Sequence, residues 1–215
     1  MEKTVVCFGD SNTWGCEPFE HPNATPRRMP KERRWTNVMV EDAKFPIKII
    51  EEGLSGRTTV FDDPIEGEHK NGSRLLVACL ETHAPLDLVI IMLGTNDFKT
   101  HFNVSSFTSA RGILTLIQLI KGYYVLSDDC PEILIVTPPS IDASAEVAFW
   151  GDAAERCIGH ADYLNQVAER TGCFHFDCNL VAGAVKDGIH LDDAGHRALG
   201  QALAPQVMSI LEMRS

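Results

Sequence analysis

The chain is organised around the stretch Val5-Val6-Cys7-Phe8-Gly9-Asp10-Ser11-Asn12-Thr13-Trp14-Gly15. Its opening apolar run predicts a buried strand, which stops at a glycine that is followed two residues later by a serine. A serine at that point lies beyond the carboxyl end of the strand, where open α/β sheets bind their ligands. Backbone N–H groups after such a strand can point at a developing negative charge. Taken alone, the same residues also fit an ordinary turn in which Ser11 caps a helix.

Composition and charge restrict the classes of function. The chain has 215 residues, of which 44% are hydrophobic and 23% are charged, and we expect one soluble globular domain over residues 1–215. A net charge of −11 disfavours a general role in nucleic-acid binding. No apolar run approaches the length of a membrane span, and the first strand begins too early to leave room for a signal peptide. We therefore expect neither nucleic acid nor a membrane as a partner.

The cysteines indicate the redox environment. There are seven, an odd number, and they include no Cys-x-x-Cys pair. Most of them lie in apolar patterns, as Cys7, Cys79 and Cys157 do. We interpret them as reduced thiols and expect a cytoplasmic protein.

Strand and helix patterns alternate five times along the chain. The predicted strands are Thr4 to Phe8, Ile47 to Ile50, Leu86 to Leu93, Ile133 to Val136 and Cys173 to Asp177. The predicted helices are Trp35 to Phe45, Ser73 to His83, Ser105 to Tyr123, Ala153 to Thr171 and Asp192 to Leu211. This alternation predicts an α/β fold, a five-stranded parallel sheet with helices on both faces. The unbroken apolar run of the third strand suits a central position.

Residues 16–34 form a polar connection that is too long for a routine loop, which favours a functional or interface role. The connection contains four prolines, Pro18, Pro22, Pro26 and Pro30. It ends in a basic cluster from Arg27 to Arg34, with five basic residues. A solvated loop is the first interpretation of this cluster. A subunit contact or the rim of an anionic substrate site is the second, and a nucleic-acid contact is the least favoured.

Reactive and polar side chains follow several of the predicted strands. Ser11 follows the first strand, and Asp187 and His190 lie in the last loop before the final helix. A serine hydroxyl becomes a useful nucleophile when a base removes its proton, and a neutral imidazole can be that base. Asp187 can accept the other ring N–H of His190 and stabilise the imidazolium that forms. These three residues are candidates for nucleophilic catalysis at one crevice of the sheet.

An acyl-transfer reaction also needs hydrogen-bond donors for the oxyanion that forms on the attacked carbonyl. The candidate donors are the N–H groups of Ser11 and Gly56 and the side-chain amide of Asn96. Simpler interpretations exist, since an Asp-x-x-His before a helix is often a cap and a Gly-Thr-Asn-Asp after a strand can be a plain turn. A binding module that holds a small ligand without chemistry is therefore an alternative to an enzyme.

Competing signatures are absent from the sequence. It contains no Gly-x-Ser-x-Gly, Gly-x-Gly-x-x-Gly, P-loop or His-Glu-x-x-His pattern. Asp62, Asp63 and His69 lie close enough in sequence to suggest a metal site, but an acidic solvated loop is the favoured interpretation. We expect no cofactor and no metal.

Taken together, these blocks resemble the SGNH (GDSL-type) hydrolases over nearly the whole chain. The blocks, in the family's order, are Gly9-Asp10-Ser11, the loop glycine Gly56, Gly94-Thr95-Asn96-Asp97 and Asp187-x-x-His190. Longer stretches are similar to the aryl esterase/acyltransferase branch, namely residues 9–15, 51–59 and 87–97. The resemblance implies a flavodoxin-like three-layer α/β/α fold. It also implies a Ser11, His190 and Asp187 triad with an oxyanion hole from Ser11, Gly56 and Asn96.

The resemblance further implies a serine esterase that hydrolyses short acyl esters through an acyl-enzyme, with possible transfer of the acyl group to an alcohol instead of water. The alternatives are a carbohydrate O-acetylesterase, a thioesterase or lysophospholipase of the same superfamily, and a non-catalytic flavodoxin-like binding module. Some members of the branch assemble into tetramers or octamers through loops near the active site, so the resemblance implies a homo-oligomer in which residues 16–34 contact a neighbour. One departure is Cys16, since the branch's better acyltransferases carry an aromatic residue after the Trp-Gly pair.

Overall fold

A parallel sheet forms the centre of the protein, in a computed structural model that describes residues 2–21, 23–145 and 147–214. Its strands are β1 (Lys3–Gly9), β2 (Ile47–Gly53), β3 (Leu88–Met92), β4 (Glu132–Thr137) and β5 (Phe174–Asp177). They lie in the order β2-β1-β3-β4-β5, and each adjacent pair is parallel. The predicted fold class is confirmed.

Helices cover both faces of the sheet. They are α1 (Ser11–Trp14), α2 (Trp35–Val38), α3 (Gly72–His83), α4 (Ser106–Tyr123), α5 (Val147–Trp150), α6 (Ala153–Arg156), α7 (His160–Thr171) and α8 (Asp193–Met213). Alternate strand residues point to opposite faces, so Val6 and Phe8 pack with α3, α4 and α7, whereas Val5 and Cys7 pack with α2 and α8. Two hydrophobic cores on either side of one sheet give the three-layer architecture.

The register of the central strands brings their carboxyl ends together. Gly9, the last residue of β1, pairs with Gly53 at the end of β2 and with Met92 at the end of β3. All five residues of β3 are buried, as its continuous apolar pattern predicts. The loops that follow β1, β2 and β3 therefore start side by side.

Two helices are shorter than the sequence predicted. The helix predicted from Trp35 to Phe45 ends at Val38, because the backbone beyond it forms tighter turns, such as the one closed by the hydrogen bond from Ala43 N–H to the Val40 carbonyl. The second is divided into α6 and α7, since Gly159 between them adopts a left-handed φ of 78°. The predicted loop over residues 140–151 also contains the short helix α5.

The connection over residues 16–34 folds back on itself, with Pro22 lying outside the described residues. Cys16 and Arg28 form an antiparallel bridge. Four arginines of the basic cluster pair with acidic residues of their own chain, namely Arg27 with Glu17 and Glu20, Arg28 and Arg34 with Glu51, and Arg33 with Asp193. Charge attraction to another subunit is therefore not needed to explain this cluster.

Among the residues that the structure describes, no helix combines the length and the apolar character that crossing a bilayer requires.

Candidate active site

Ser11 opens the short helix α1 directly after β1. Asp10 caps this helix, because its carboxylate accepts a hydrogen bond from Asn12 N–H at 2.9 Å. Gly15 ends the helix in a left-handed conformation with φ 84°. Ser11 keeps 6% of its surface exposed, so its hydroxyl lies at the edge of the crevice.

The Ser11 hydroxyl heads a chain of hydrogen bonds to the last loop. Ser11 Oγ lies 2.9 Å from His190 Nε2, and His190 Nδ1 lies 2.6 Å from Asp187 Oδ2. The other oxygen of Asp187 accepts the N–H groups of Ile189 and His190 at 2.9 and 2.8 Å. These bonds orient the carboxylate toward the imidazole, so the structure brings the three candidate residues together in the order that proton transfer requires.

The local electrostatics favour the charged forms of Asp187 and His190. Burial alone would raise the pKa of Asp187, but hydrogen bonds from His190 and from backbone N–H groups lower that pKa to about 2. Burial alone would lower the pKa of His190, but the hydrogen bond to Asp187 and contact with the Cys16 thiol raise that pKa above its usual 6.5. Asp187 is therefore a carboxylate that stabilises a proton on the imidazole.

Asn12 connects the serine helix to the histidine loop. Its side-chain N–H donates to the Ile189 carbonyl at 3.2 Å, and its side-chain oxygen accepts from Leu191 N–H at 2.9 Å. These two bonds flank His190 on both sides. Sequence reasoning missed this role, and its only signal was that Asn12 is adjacent to Ser11.

The loop after β2 brings Gly56 toward the end of β1. The Gly9 carbonyl accepts Leu54 N–H at 3.1 Å and Arg57 Nη1–H at 2.9 Å. Gly56 has φ 81°, a left-handed conformation that side-chain-bearing residues rarely adopt. In the part of the chain that the structure describes, the N–H groups of Ser11 and Gly56 have no hydrogen-bond acceptor. Both N–H groups are therefore available as donors to a bound molecule.

The third candidate donor is held against the same loop. Asn96 Nδ2 donates to the Arg57 carbonyl at 3.1 Å, which leaves its second N–H for another acceptor. The next residue, Asp97, is fully buried and accepts Thr59 N–H, Thr59 Oγ1–H and Ser109 Oγ–H at 2.7 to 2.8 Å. Burial raises the pKa of Asp97 to about 6. Asp97 thereby ties the loop of Asn96 to that of Gly56, a role that sequence reasoning missed.

A cavity of about 420 Å³ opens at His190 and Asp187. Three aromatic residues line it, Phe19, Phe149 and Trp150, together with the polar residues Glu20, His21, Ser144 and Lys186. Phe19 N–H donates to Asp187 Oδ2 at 2.9 Å, and its ring meets that of His190 edge-on at 5.1 Å. The first part of the 16–34 connection is therefore a wall of the site.

The two aspartates considered for a metal site have other partners. Asp62 pairs with Arg74, and Asp63 pairs with Lys99. Within the described residues, the group with converging potential ligands is a different one, Glu52, Cys79 and His83. There the Glu52 carboxylate already binds His83 Nε2 at 2.7 Å.

His196, which lies in the first turn of α8, is not part of this chain of hydrogen bonds. It is fully buried, and its Nδ1 accepts Trp35 N–H at 3.2 Å. Burial lowers its pKa to about 4, so it is a neutral packing residue.

Comparisons with known proteins identify the family and the relatives of similar fold. A model of the GDSL-like lipase/acylhydrolase family matches residues 7–198. A carbohydrate acetylesterase from Sinorhizobium meliloti superposes with a TM-score of 0.90 at 34% identity, over 97% of this chain and 99% of that one. An aryl esterase from M. smegmatis superposes with a TM-score of 0.88 at 37% identity, over the same shares of each chain. The search of curated proteins found no match.

We expect the His190 imidazole to titrate above pH 6.5, because Asp187 stabilises its protonated form. Histidine ring signals followed by NMR across pH 4 to 10 give the midpoint, and the signal of His196, whose pKa burial lowers, should stay that of a neutral ring through most of this range. Asp187→Asn removes the stabilising charge and should move the His190 midpoint downward. A wild-type midpoint at or below 6.5 would contradict this account.

Proposed function

The chain belongs to the GDSL-like lipase/acylhydrolase family and is a carboxylic ester hydrolase, and we propose that Ser11, His190 and Asp187 form its catalytic triad. The observation that carries this assignment is the continuous chain of hydrogen bonds, 2.9 Å from Ser11 Oγ to His190 Nε2 and 2.6 Å from His190 Nδ1 to Asp187. A serine aligned in this way with a base and a carboxylate is the arrangement used in nucleophilic acyl transfer.

The proposed reaction proceeds through an acyl-enzyme. Ser11 Oγ attacks the ester carbonyl while its proton passes to His190 Nε2, and Asp187 stabilises the imidazolium. The N–H groups of Ser11, Gly56 and Asn96 bind the oxyanion. His190 then gives the proton to the leaving alcohol, and a water molecule, deprotonated by His190, releases the acid. Because His190 must be neutral to accept the first proton, hydrolysis slows as the pH falls through its pKa.

Replacement of the nucleophile tests the assignment directly. Ser11→Ala should lower the hydrolysis of phenyl acetate to the buffer rate and abolish labelling by a fluorophosphonate probe. Ser55→Ala, in the neighbouring loop, is the matched control and should retain labelling. Circular dichroism of each variant checks the fold. A wild-type protein that neither hydrolyses the ester nor reacts with the probe would instead favour a non-catalytic binding module.

The lining of the cavity supports short acyl esters of aryl alcohols as substrates. Phe19, Phe149 and Trp150 offer ring faces and edges to a planar leaving group. A cavity of about 420 Å³ has room for a small ester. Acetylated sugars are the second candidate class, because the exposed side chains of Glu20 and His21 can hydrogen-bond to hydroxyl groups beside the same rings. Thioesters and lysophospholipids are the remaining candidate classes.

A substrate panel distinguishes these classes. We expect kcat/KM to fall in the order phenyl acetate, phenyl butyrate and phenyl octanoate, because Phe19, Phe149 and Trp150 border the cavity beside His190 and a longer acyl chain must pass these bulky side chains. Hydrolysis of acetylated xylose, measured in parallel with that of phenyl acetate, tests acetylated sugars as substrates. Phe149→Ala should relax the discrimination against octanoate. A wild-type preference for the octanoate ester would contradict the assignment of a short-chain site.

We further infer transfer of the acyl group to alcohols, a cytoplasmic location and a homo-oligomer, either a tetramer or an octamer. The aromatic walls support transfer, since they limit access of water to the acyl-enzyme. The seven free cysteines support a reducing compartment. The 16–34 connection supports assembly, because it forms one wall of the site and continues into exposed surface at Asn23 and Thr25.

Light scattering tests the oligomer. We expect a particle mass several times 23.7 kDa that changes little with salt, because the arginines of the basic cluster are paired within their own chain. Removal of residues 20–30 should dissociate the particle and widen the range of accepted acyl chains. A monomer at micromolar concentration would reject the proposed assembly.

A further inference from the structure

We propose that Lys99 and Glu66 are positioning residues that hold the two separate oxyanion loops, those of Gly56 and Asn96, at their working distance. This inference rests on the proposed function, and it assigns a role to an ion cluster that the triad does not use. The cluster consists of Asp63, Glu66, Lys70 and Lys99.

Lys99 is an unusual core residue, since only 1% of its surface is exposed. Its ammonium lies 3.1 Å from Asp63 Oδ2 and 2.5 Å from Glu66 Oε1. A lysine enters the interior of a protein only when its charge is paired. Lys99 also follows Asn96 by three residues and donates its N–H to the Asn96 carbonyl at 3.4 Å. The buried charge is therefore fixed to the loop that carries one oxyanion donor.

The opposite side of Glu66 contacts the other loop. Glu66 Oε2 would lie 2.3 Å from a Cβ placed on Gly56, so the carboxylate packs against the α-carbon of this glycine. Lys70 Nζ lies 3.8 Å from the same oxygen and donates to the Ser55 carbonyl at 2.7 Å. Glu66 is thereby held between Lys99 on one loop and Gly56 on the other.

Asp63 holds this arrangement in place. It is fully buried, and its Oδ1 accepts the N–H groups of Ile65 and Glu66 at 2.9 Å each. One carboxylate thus sets the turn that presents Glu66 and also binds Lys99. His101 Nε2 approaches the same carboxylate at 3.4 Å. With both lysines charged, the two carboxylates are neutralised, and the cluster adds no net negative charge beside the oxyanion site.

The consequence is specific to the transition state. An oxyanion hole works when its donors are in place before charge develops. A change in the spacing of Gly56 and Asn96 therefore reduces the stabilisation of the oxyanion more than it reduces the binding of the ester. Loss of Lys99 would also leave the two carboxylates with Lys70 as their remaining lysine, so the cluster would carry an excess negative charge near the developing oxyanion. We therefore expect that replacement of Glu66 or Lys99 lowers kcat and changes KM little.

The matched pair Glu66→Ala and Glu66→Gln tests this role with phenyl acetate as substrate. Glutamine keeps the shape of the side chain against Gly56 and an oxygen for Lys99, so its kcat should stay within about threefold of the wild-type value. Alanine removes both contacts and should lower kcat by about 10²-fold, as loss of one oxyanion donor does. Lys99→Met should resemble Glu66→Ala. Lys44→Met, at an exposed lysine that pairs with Glu212, is the charge-matched control and should leave kcat unchanged.

A second measurement is independent of activity. In ¹⁵N–¹H NMR spectra, the Gly56 amide and the Asn96 side-chain amide should both shift in Glu66→Ala and stay near their wild-type positions in Glu66→Gln. Unshifted signals in both variants would overturn the positioning role even if the protein hydrolysed no ester. A normal kcat in folded Glu66→Ala, or a rise in KM alone, would also overturn it. Glu66 is partly exposed, so its variants keep the test available if Lys99→Met does not fold.

Discussion

Crowding around Gly9 is the constraint on which the rest of the structure depends. A Cβ at this position would lie 2.0 Å from Thr13 Oγ1 and 2.8 Å from the Met92 carbonyl, so only glycine lets the serine helix turn away this close to β3. The Gly9 carbonyl also accepts Leu54 N–H and Arg57 Nη1–H. One residue therefore joins the ends of β1 and β3 to the loop of Gly56, and it brings the candidate residues Ser11 and Gly56 to the same edge of the sheet.

The site is built in two halves that rely on different forces. In the first half, the Asn12 side chain donates a hydrogen bond to the Ile189 carbonyl and accepts one from Leu191 N–H, which holds the backbone on both sides of His190. Asp187 stabilises the proton on the His190 imidazole. The oxyanion loops are held instead by buried charges, the carboxylate of Asp97 and the ion cluster around Lys99. Buried ions are costly to desolvate and add little stability. Their presence beside the proposed oxyanion hole is better explained by the rigidity that such a hole requires.

The chain is similar to two kinds of esterase. It is similar over 97% of its length to a carbohydrate acetylesterase and to an aryl esterase, at 34% and 37% identity. The fold and the candidate triad do not distinguish these substrates. The walls of the cavity come from the 16–34 connection and from α5 rather than from the sheet. Under the proposed function, substrate selectivity is therefore set by these loops.

The sequence by itself determined the α/β class, the parallel sheet and the order of the candidate groups Ser11, Gly56, Asn96 and His190. These follow from local periodicity and from the rule that parallel strands end at one edge. The break at Gly159 was missed, since an isolated glycine within a helical pattern is usually tolerated. Only the tertiary structure decided the roles of Asn12, Asp97 and Lys99. Their partners lie far away in sequence, 179 residues for Asn12 and Leu191 and 36 for Lys99 and Asp63, and no local pattern encodes such contacts.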